Sequence, residues 1–474
     1  MSKLSPAIVW YRQDLRLQDH AALNAAAAGG RPVVAVYVLD DASPGQWAMG
    51  GAARWWLHHS LESLGRGLHK LGGRLVLRRG AAAVVIPALA QELGVAEIHA
   101  GRAHEPWARE ADATVADALQ AVGASLKLHR TTTLFDLDAV RTKTGGVYGV
   151  YTPFARTART MAPPAPVEAP ARLHGPVVPS DTLAEWALLP THPDWSGGFE
   201  WQVGEDAAQA RLAAFLDRAV HGYDTTRNLP GQPGTSMVSP HLHWGELSPT
   251  QVWHTARQAA QQTGEGLEVY LGEILWREFS AYLLWHHPHM PEQPLRPEFA
   301  RLPVRDDDAA LHAWRHGQTG VPIVDAGMRQ LRSLGWMHNR VRMITASFLV
   351  KQLLLPWQAG SAFFWKMLVD ADLASNSASW QWIAGCGTDN SPFFRVFNPL
   401  TQGEKFDAAG AYVRRWVPEL ARLPNAFLHQ PWAADAITLA GAGVVLGKTY
   451  PAPLVDLPAA RQRALDAFKT MRTA

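Results

Sequence analysis

Three groups of residues bring together side chains that could do chemistry. Glu273, Trp276 and Arg277 are spaced i, i+3 and i+4, which puts a carboxylate, an indole and a guanidinium on one face of a helix. Such a trio suits either a solvated surface or the wall of a pocket for a planar, polar, phosphate-linked ligand. Asn339, Arg342 and Met343 repeat the spacing just after Trp336. Asp370 and Asp372 precede Asn376, Trp380 and Trp382. A helix turns about 100° per residue, so Trp380 and Trp382 point roughly 200° apart and must serve different sites. Asp372 is placed to cap that helix. The stretch Gly234-Thr235-Ser236-Met237-Val238-Ser239-Pro240 sets three hydroxyls and a flexible glycine before a helix start, with Ser239 at the N-cap and Pro240 at the first helical position. It reads as an ordinary cap or as an anion cradle, because a helix amino end offers free N–H groups to phosphate.

Two other motifs are decoys. Ala442-Gly443-Val444-Val445-Leu446-Gly447-Lys448-Thr449 nearly spells a phosphate-binding loop, but Ala442 replaces the first glycine. Tyr450-Pro451-Ala452-Pro453 also cannot open the helix such a loop needs. His58-His59 and His286-His287-Pro288-His289 lack the helical spacing with a glutamate that a zinc site needs and read as solvated or core-edge histidines.

Elements of two kinds must position these groups. Up to residue 130, apolar runs alternate with helical periods. Strands are expected at Ala7 to Tyr11, Pro32 to Leu39, Arg74 to Leu77, Glu97 to Ala100 and Leu126 to His129. Between them the periodicity predicts helices over His20 to Ala28, Ala53 to Leu71, Ala82 to Leu93 and Ala108 to Val122. This alternation implies a doubly wound parallel α/β sheet, whose ligands lie off the carboxyl ends of the strands. A connector follows over 131–204, rich in proline at Pro163, Pro164, Pro166, Pro170, Pro176 and Pro179, and it should wrap over the surface. From 205 to 474 strand patterns vanish. Helical periods cover Ala207 to Val220, Pro249 to Gln262, Leu267 to Trp285, Val324 to Leu334 and Arg340 to Leu355, so the second domain is all-α and the larger.

Composition bounds the rest. The 474 residues are 47% hydrophobic and 18% charged, which excludes disorder. Lys and Arg total 44 against 42 Asp and Glu, so a polyanionic partner must meet a local basic patch and not a global field. The one cysteine, Cys386, excludes a disulfide framework and a cysteine-based zinc cluster and favours a reducing cytoplasm. No run of about 18 apolar residues exists, and Met1 to Pro6 lacks a signal core, so a membrane or secreted protein is not expected. Twenty tryptophans stand against 9 tyrosines and 15 phenylalanines. They either plug a large helical core or include rings that stack on planar ligands or carry electrons.

Taken in order, these segments resemble the photolyase/cryptochrome family over nearly the whole chain, from Trp10-Tyr11-Arg12-Gln13-Asp14-Leu15-Arg16 to Gly403-Glu404-Lys405-Phe406-Asp407. The likeness is densest over Gly320 to Arg329 and Gly335 to Ile344, and within the family it is greatest to bacterial photolyases for cyclobutane pyrimidine dimers. The resemblance implies FAD in the helical domain. Tyr223 and the loop Thr235, Ser236, Met237, Val238 and Ser239 match the segment that holds its diphosphate. Trp336 matches a cofactor-lining position, Arg342 and Asp370 an ion pair beside the ring, and Asp372 a flavin-contacting carboxylate. Asn376 matches the residue facing flavin N5, where an amide can donate or accept and where plant cryptochromes typically carry aspartate. Glu273, Trp276, Asn339, Met343 and Trp382 match the contacts of a flipped-out dimer, with the two indoles as a wedge and Glu273 and Asn339 bonding base edges. Photolyases for 6-4 photoproducts would carry histidines in place of Asn339 and Met343. Arg227, Arg277, Arg340 and Arg395 match DNA-backbone contacts, which give affinity without sequence preference.

Departures matter equally. Trp380 and Trp357 match the proximal and middle members of the family's electron-carrying tryptophan chain, but the distal position aligns with Val304. Ser375, Ser377, Ala378 and Ser379 stand where relatives have alanine, asparagine and paired glycines. Trp107-Ala108 replaces the Asn-Glu pair of folate-binding relatives, leaving a folate or deazaflavin antenna in the first domain an open expectation. The implied function is light-driven repair of cyclobutane dimers in UV-damaged DNA by a cytoplasmic monomer. The alternatives are a cryptochrome-type light sensor without repair or a photolyase for another lesion.

Overall fold

The computed structural model describes residues 5–259, 264–389, 392, 393 and 395–473. It divides into two compact units: 1–221 with 236–288 and 369–374, and 222–235 with 289–368 and 375–474.

The first unit contains the expected sheet. Strands β1 (Ala7–Tyr11), β2 (Val33–Leu39), β3 (Leu75–Arg79), β4 (Glu97–Gly101) and β5 (Ser125–His129) are all parallel, in the order β3-β2-β1-β4-β5. In register, Ile8 faces Val34 on one side and Ile98 on the other. Helices α1 (Ala21–Ala27), α2 (Gly51–Lys70), α3 (Ala82–Leu93) and α4 (Pro106–Ala121) make the crossovers. Ile8, Val34, Val36, Val76 and Ile98 pack against Ile86, Leu89, Val115 and Leu119 of α3 and α4, so that face is a closed apolar layer. The central strands β1 and β2 are buried along their whole length, which is why they read as unbroken apolar runs, whereas the edge strands β3 and β5 are only partly covered.

Arg16 locks the loop after β1. Its buried guanidinium donates to the carbonyls of Gln18, Asp19, Thr131 and Gly245, replacing the water it has lost. Gly245, with φ of +66°, lies so close that a Cβ would come 2.2 Å from the Gln13 carbonyl oxygen. The connector docks by main-chain bonds: Asp19 N–H to Val167 O, Leu173 N–H to Leu71 O, and Val33 N–H to His174 O. One helix inside it, Tyr151–Thr160, was not expected from the sequence.

Helices Glu205–Arg218, Ser239–His243, Pro249–Ala259 and Glu265–His286 complete this unit. The expected extension of the third to Gln262 lies outside the described residues. The second unit is helical and includes Asp308–His316, Pro322–Leu334, Asn339–Ser347, Trp357–Met367 and most of Leu373–Ala384. The helix expected over Arg340 to Leu355 changes to a π-helical turn at Phe348–Gln352. No helix among the described residues is long and apolar enough to cross a membrane.

Candidate functional site

In the first unit the candidate residues gather around a short helix and a returning segment. Ser239 was expected as an N-cap, but the helix Ser239–His243 has Val238 at that position and no side-chain cap. The Ser239 hydroxyl instead donates to Asp370 Oδ2 at 2.6 Å. Trp244 Nε1 donates to the Val369 carbonyl, which ties the segment carrying Asp370 and Asp372 to this helix. His243 Nδ1 stands 3.9 Å from Asp372 Oδ2. Burial alone would raise the Asp372 pKa. The His243 ring beside it and the positive charge of Arg277 outweigh that and hold the carboxyl well below the usual range. Asp372 is therefore a fixed anion. Met237, in the preceding loop, takes a left-handed φ of +51°.

The helix Glu265–His286 carries Glu273, Trp276 and Arg277, as the spacing predicted. Arg277 Nη1 donates to the Thr132 carbonyl at 2.7 Å and Nη2 to that of Leu242. Its guanidinium thus holds backbone in place while its charge acts on Asp372. Trp276 stacks on Tyr151 with centroids 3.6 Å apart and planes within 7°. Tyr151 is itself held by its hydroxyl, which donates to the Gly272 carbonyl. No sequence signal marked Tyr151, because its helix lies 125 positions upstream of Trp276 within the connector. Glu278, on the same helix, is buried and accepts the N–H groups of Leu134 and Phe135 at 2.9 Å.

In the second unit, Asn339, Arg340, Arg342 and Met343 share the helix Asn339–Ser347. His338 caps it: its Nδ1 accepts the Arg340 N–H. Burial, and then the charges of Arg340, Arg342 and Arg227, push the His338 pKa down to about 4, so the ring stays neutral and able to accept. Arg340 donates from Nε and Nη2 to Asn228 Oδ1 and stands over the Phe406 ring at 4.5 Å. Arg342 donates to the Met337 carbonyl and lies 5.9 Å from the Trp336 centroid, and Arg227 stands 5.6 Å over Tyr223. The carbonyl of exposed Arg395 accepts a hydrogen bond from buried Lys351.

The helix Leu373–Ala384 separates its indoles as its geometry required. Trp380 is buried, edge-on to Trp314 at 6.3 Å and to Phe364 at 5.1 Å, while Trp382 is partly exposed. A Cβ at Gly360 would come 2.1 Å from the Trp380 ring, so glycine is required there. Trp357 opens the helix Trp357–Met367 and is buried, and Val304 is 48% exposed. Asn376 Nδ2 donates to Ser361 O at 3.1 Å and Ser361 Oγ at 3.0 Å.

Within the first unit, a fixed carboxylate at Asp372 and hydroxyls at Ser236 and Ser239, and within the second, taken by itself, the Thr235 hydroxyl and an oriented amide at Asn376, are groups of the kinds that a flavin ring edge and a diphosphate need. The residues present therefore fit FAD. The sequence reading overlooked Glu62, four residues after His58; ligand atoms of His58, His59 and Glu62 lie within 4.8 Å of one another. His58 Nδ1 is buried with no partner among the described residues, so its ring proton belongs on Nε2, facing Glu62 Oε1 at 3.6 Å. A metal on Nε2 would force that proton onto the unpartnered nitrogen.

Comparison with known proteins gives a consistent picture. Residues 7–171 match the family described as DNA photolyase, and residues 270–470 match the FAD binding domain of DNA photolyase. The chain is 46% identical to the deoxyribodipyrimidine photo-lyase of Agrobacterium fabrum over 99% of both chains. It is 34% identical to Arabidopsis thaliana cryptochrome-1, covering 98% of this chain and 70% of that protein. A crystal structure of a bacterial class III photolyase from Agrobacterium tumefaciens superposes with a TM-score of 0.97 at 45% identity, covering 100% of this chain and 99% of the other. A Synechocystis cryptochrome gives 0.90 at 28% identity, covering 98% and 100%.

Proposed function

From the premise that the chain belongs to the DNA photolyase family and carries its FAD-binding domain, we propose that it is a deoxyribodipyrimidine photo-lyase that splits cyclobutane pyrimidine dimers in UV-damaged DNA. The observation that carries this reading is the end-to-end match to a deoxyribodipyrimidine photo-lyase, together with an amide at Asn376. When bound, reduced FAD supplies the blue-light excitation and the electron that opens the cyclobutane ring and is then returned.

The chain's own residues do the rest. Tyr223, Thr235, Ser236, Met237, Val238 and Ser239 hold the diphosphate, and Trp336, Arg342, Asp370, Asp372 and Asn376 hold the ring, with Asn376 at N5. Trp276 and Trp382 stack the flipped-out bases and exclude water from them. Glu273 and Asn339 bond the base edges, Glu273 steadies the charge on the dimer by a hydrogen bond or by giving it a proton, and Met343 lies against the dimer. Arg227, Arg277, Arg340 and Arg395 set the DNA backbone. Trp380 and Trp357 would relay electrons toward the bound cofactor, with Val304 at the distal position. The same proposal assigns 1–130 to an antenna-type domain for a folate or deazaflavin, 131–204 to the connector and 205–474 to FAD and DNA. It takes the protein as a cytoplasmic monomer.

The test is repair of a thymine-dimer oligonucleotide by chemically reduced holoprotein with and without blue light. Light-dependent recovery of intact thymines is the expected result. Its absence with reduced FAD bound would transfer the assignment to a cryptochrome-type sensor or another lesion.

A further inference from the structure

The helix Leu373–Ala384 carries two buried side-chain amides that are used differently. Gln381 is engaged at both ends: Oε1 accepts from Leu295 N–H, and Nε2 donates to the carbonyls of Met290 and Gln293. Asn376 is engaged at one end alone. Its Nδ2 donates to the Ser361 carbonyl and to Ser361 Oγ. A main-chain carbonyl can only accept, so the nitrogen end of the amide has to face Ser361, and both of its N–H bonds are consumed there. Among the described residues nothing donates to Oδ1. Ser361 is 1% exposed and sits in the middle of the helix Trp357–Met367, so its two acceptors are rigidly placed.

We propose that Ser361 is a positioning residue that holds Asn376 with its carbonyl oxygen outward, making the amide a pure acceptor toward the N5–H of reduced flavin. The inference rests on the assignment of Asn376 to flavin N5 made above. An amide free to turn could serve either redox state, offering oxygen to N5–H or nitrogen to the bare N5 of oxidised flavin. One locked by Ser361 serves the reduced state only, because oxygen facing bare N5 sets two acceptors against each other. The hydroxyl fixes the second N–H and thereby biases the cofactor toward the form that repair requires.

The experiment is a dark spectroelectrochemical titration of the FAD-loaded protein in four forms: unaltered, Ser361→Ala, Asn376→Ala and the double variant. Loss of one neutral hydrogen bond should lower the reduced-to-oxidised ratio at fixed potential by up to about tenfold, or about 30 mV for a two-electron couple. Ser361→Thr should restore the original potential, and Ser361→Ala should add nothing once Asn376 is alanine. Ser361→Cys, which keeps bulk but accepts poorly, gives the same readout if the alanine variant does not fold. A shift with Asn376→Ala but none with Ser361→Ala or Ser361→Cys would overturn the role of Ser361, as would an equal shift in both backgrounds. No shift with Asn376→Ala would instead show that the amide does not face the flavin, and both the N5 assignment and this inference would fall.

Discussion

The loop after β1 and the helix Leu373–Ala384 treat buried polarity in opposite ways. Arg16 commits its guanidinium to four main-chain carbonyls. Asn376, also buried, commits its nitrogen and keeps its oxygen back. On the function proposed above, the difference separates a polar group that builds the fold from one that serves a ligand. A structural group satisfies itself within the protein, whereas a ligand-binding group is fixed at one end so that the other is aimed.

The sharpest way to break this comparison is at Arg16. Arg16→Met leaves buried carbonyls without donors and should cost about 3–5 kcal/mol, measured by urea unfolding. A loss under 1 kcal/mol would mean that water replaces the guanidinium and that the four bonds carry little of the fold.

Next comes the cap at His338. Its folded pKa of about 4 lies below the ordinary 6.5, so the folded protein binds fewer protons than the unfolded chain between those values. The stabilisation is present above pH 6.5 and lost as pH falls toward 4, by up to about 3 kcal/mol. His338→Asn, which caps without titrating, should remove that part of the pH dependence of Tm. If the two proteins show parallel profiles, the ring is protonated in the fold and does not accept from Arg340.

Trp276→Ala should weaken binding to dimer-containing DNA by about 1–3 kcal/mol, read as Kd by fluorescence anisotropy. Equal affinity would remove Trp276 from the ligand-serving class. Asn376→Asp gives up the two hydrogen bonds to Ser361 and should cost about 1–3 kcal/mol by thermal unfolding. Its holoprotein should develop a long-wavelength flavin absorption band under light that the unaltered protein lacks. An unchanged spectrum would place the residue away from N5.

The sheet was legible because its central strands, buried along their length, declare themselves as apolar runs, and the helical periods between them mark off the shorter edge strands. Each strand falls within two residues of its expected bounds. The helix Tyr151–Thr160 was hidden by Gly145-Gly146 before it and the proline-rich stretch after it, which together suggested an unbroken connector. Single-helix constellations such as Glu273, Trp276 and Arg277 could be read from spacing alone. Ser361 could not, since it meets Asn376 across a turn and from another helix. Nor could spacing tell that Arg277 is held by carbonyls or that Ser239 turns to Asp370 instead of capping, because tertiary partners decide where a donor goes.

The stack of Tyr151 on Trp276 has a thermodynamic consequence. Freezing a side chain at an interface costs about 0.5–1.5 kcal/mol of rotamer entropy when binding does the freezing. Here Tyr151 covers one face of the indole and is itself pinned to Gly272, so the ring is already immobile in the free protein. In the role proposed for Trp276, a base arriving on the other face would meet a finished shelf, and the ordering cost would fall on folding instead of on recognition.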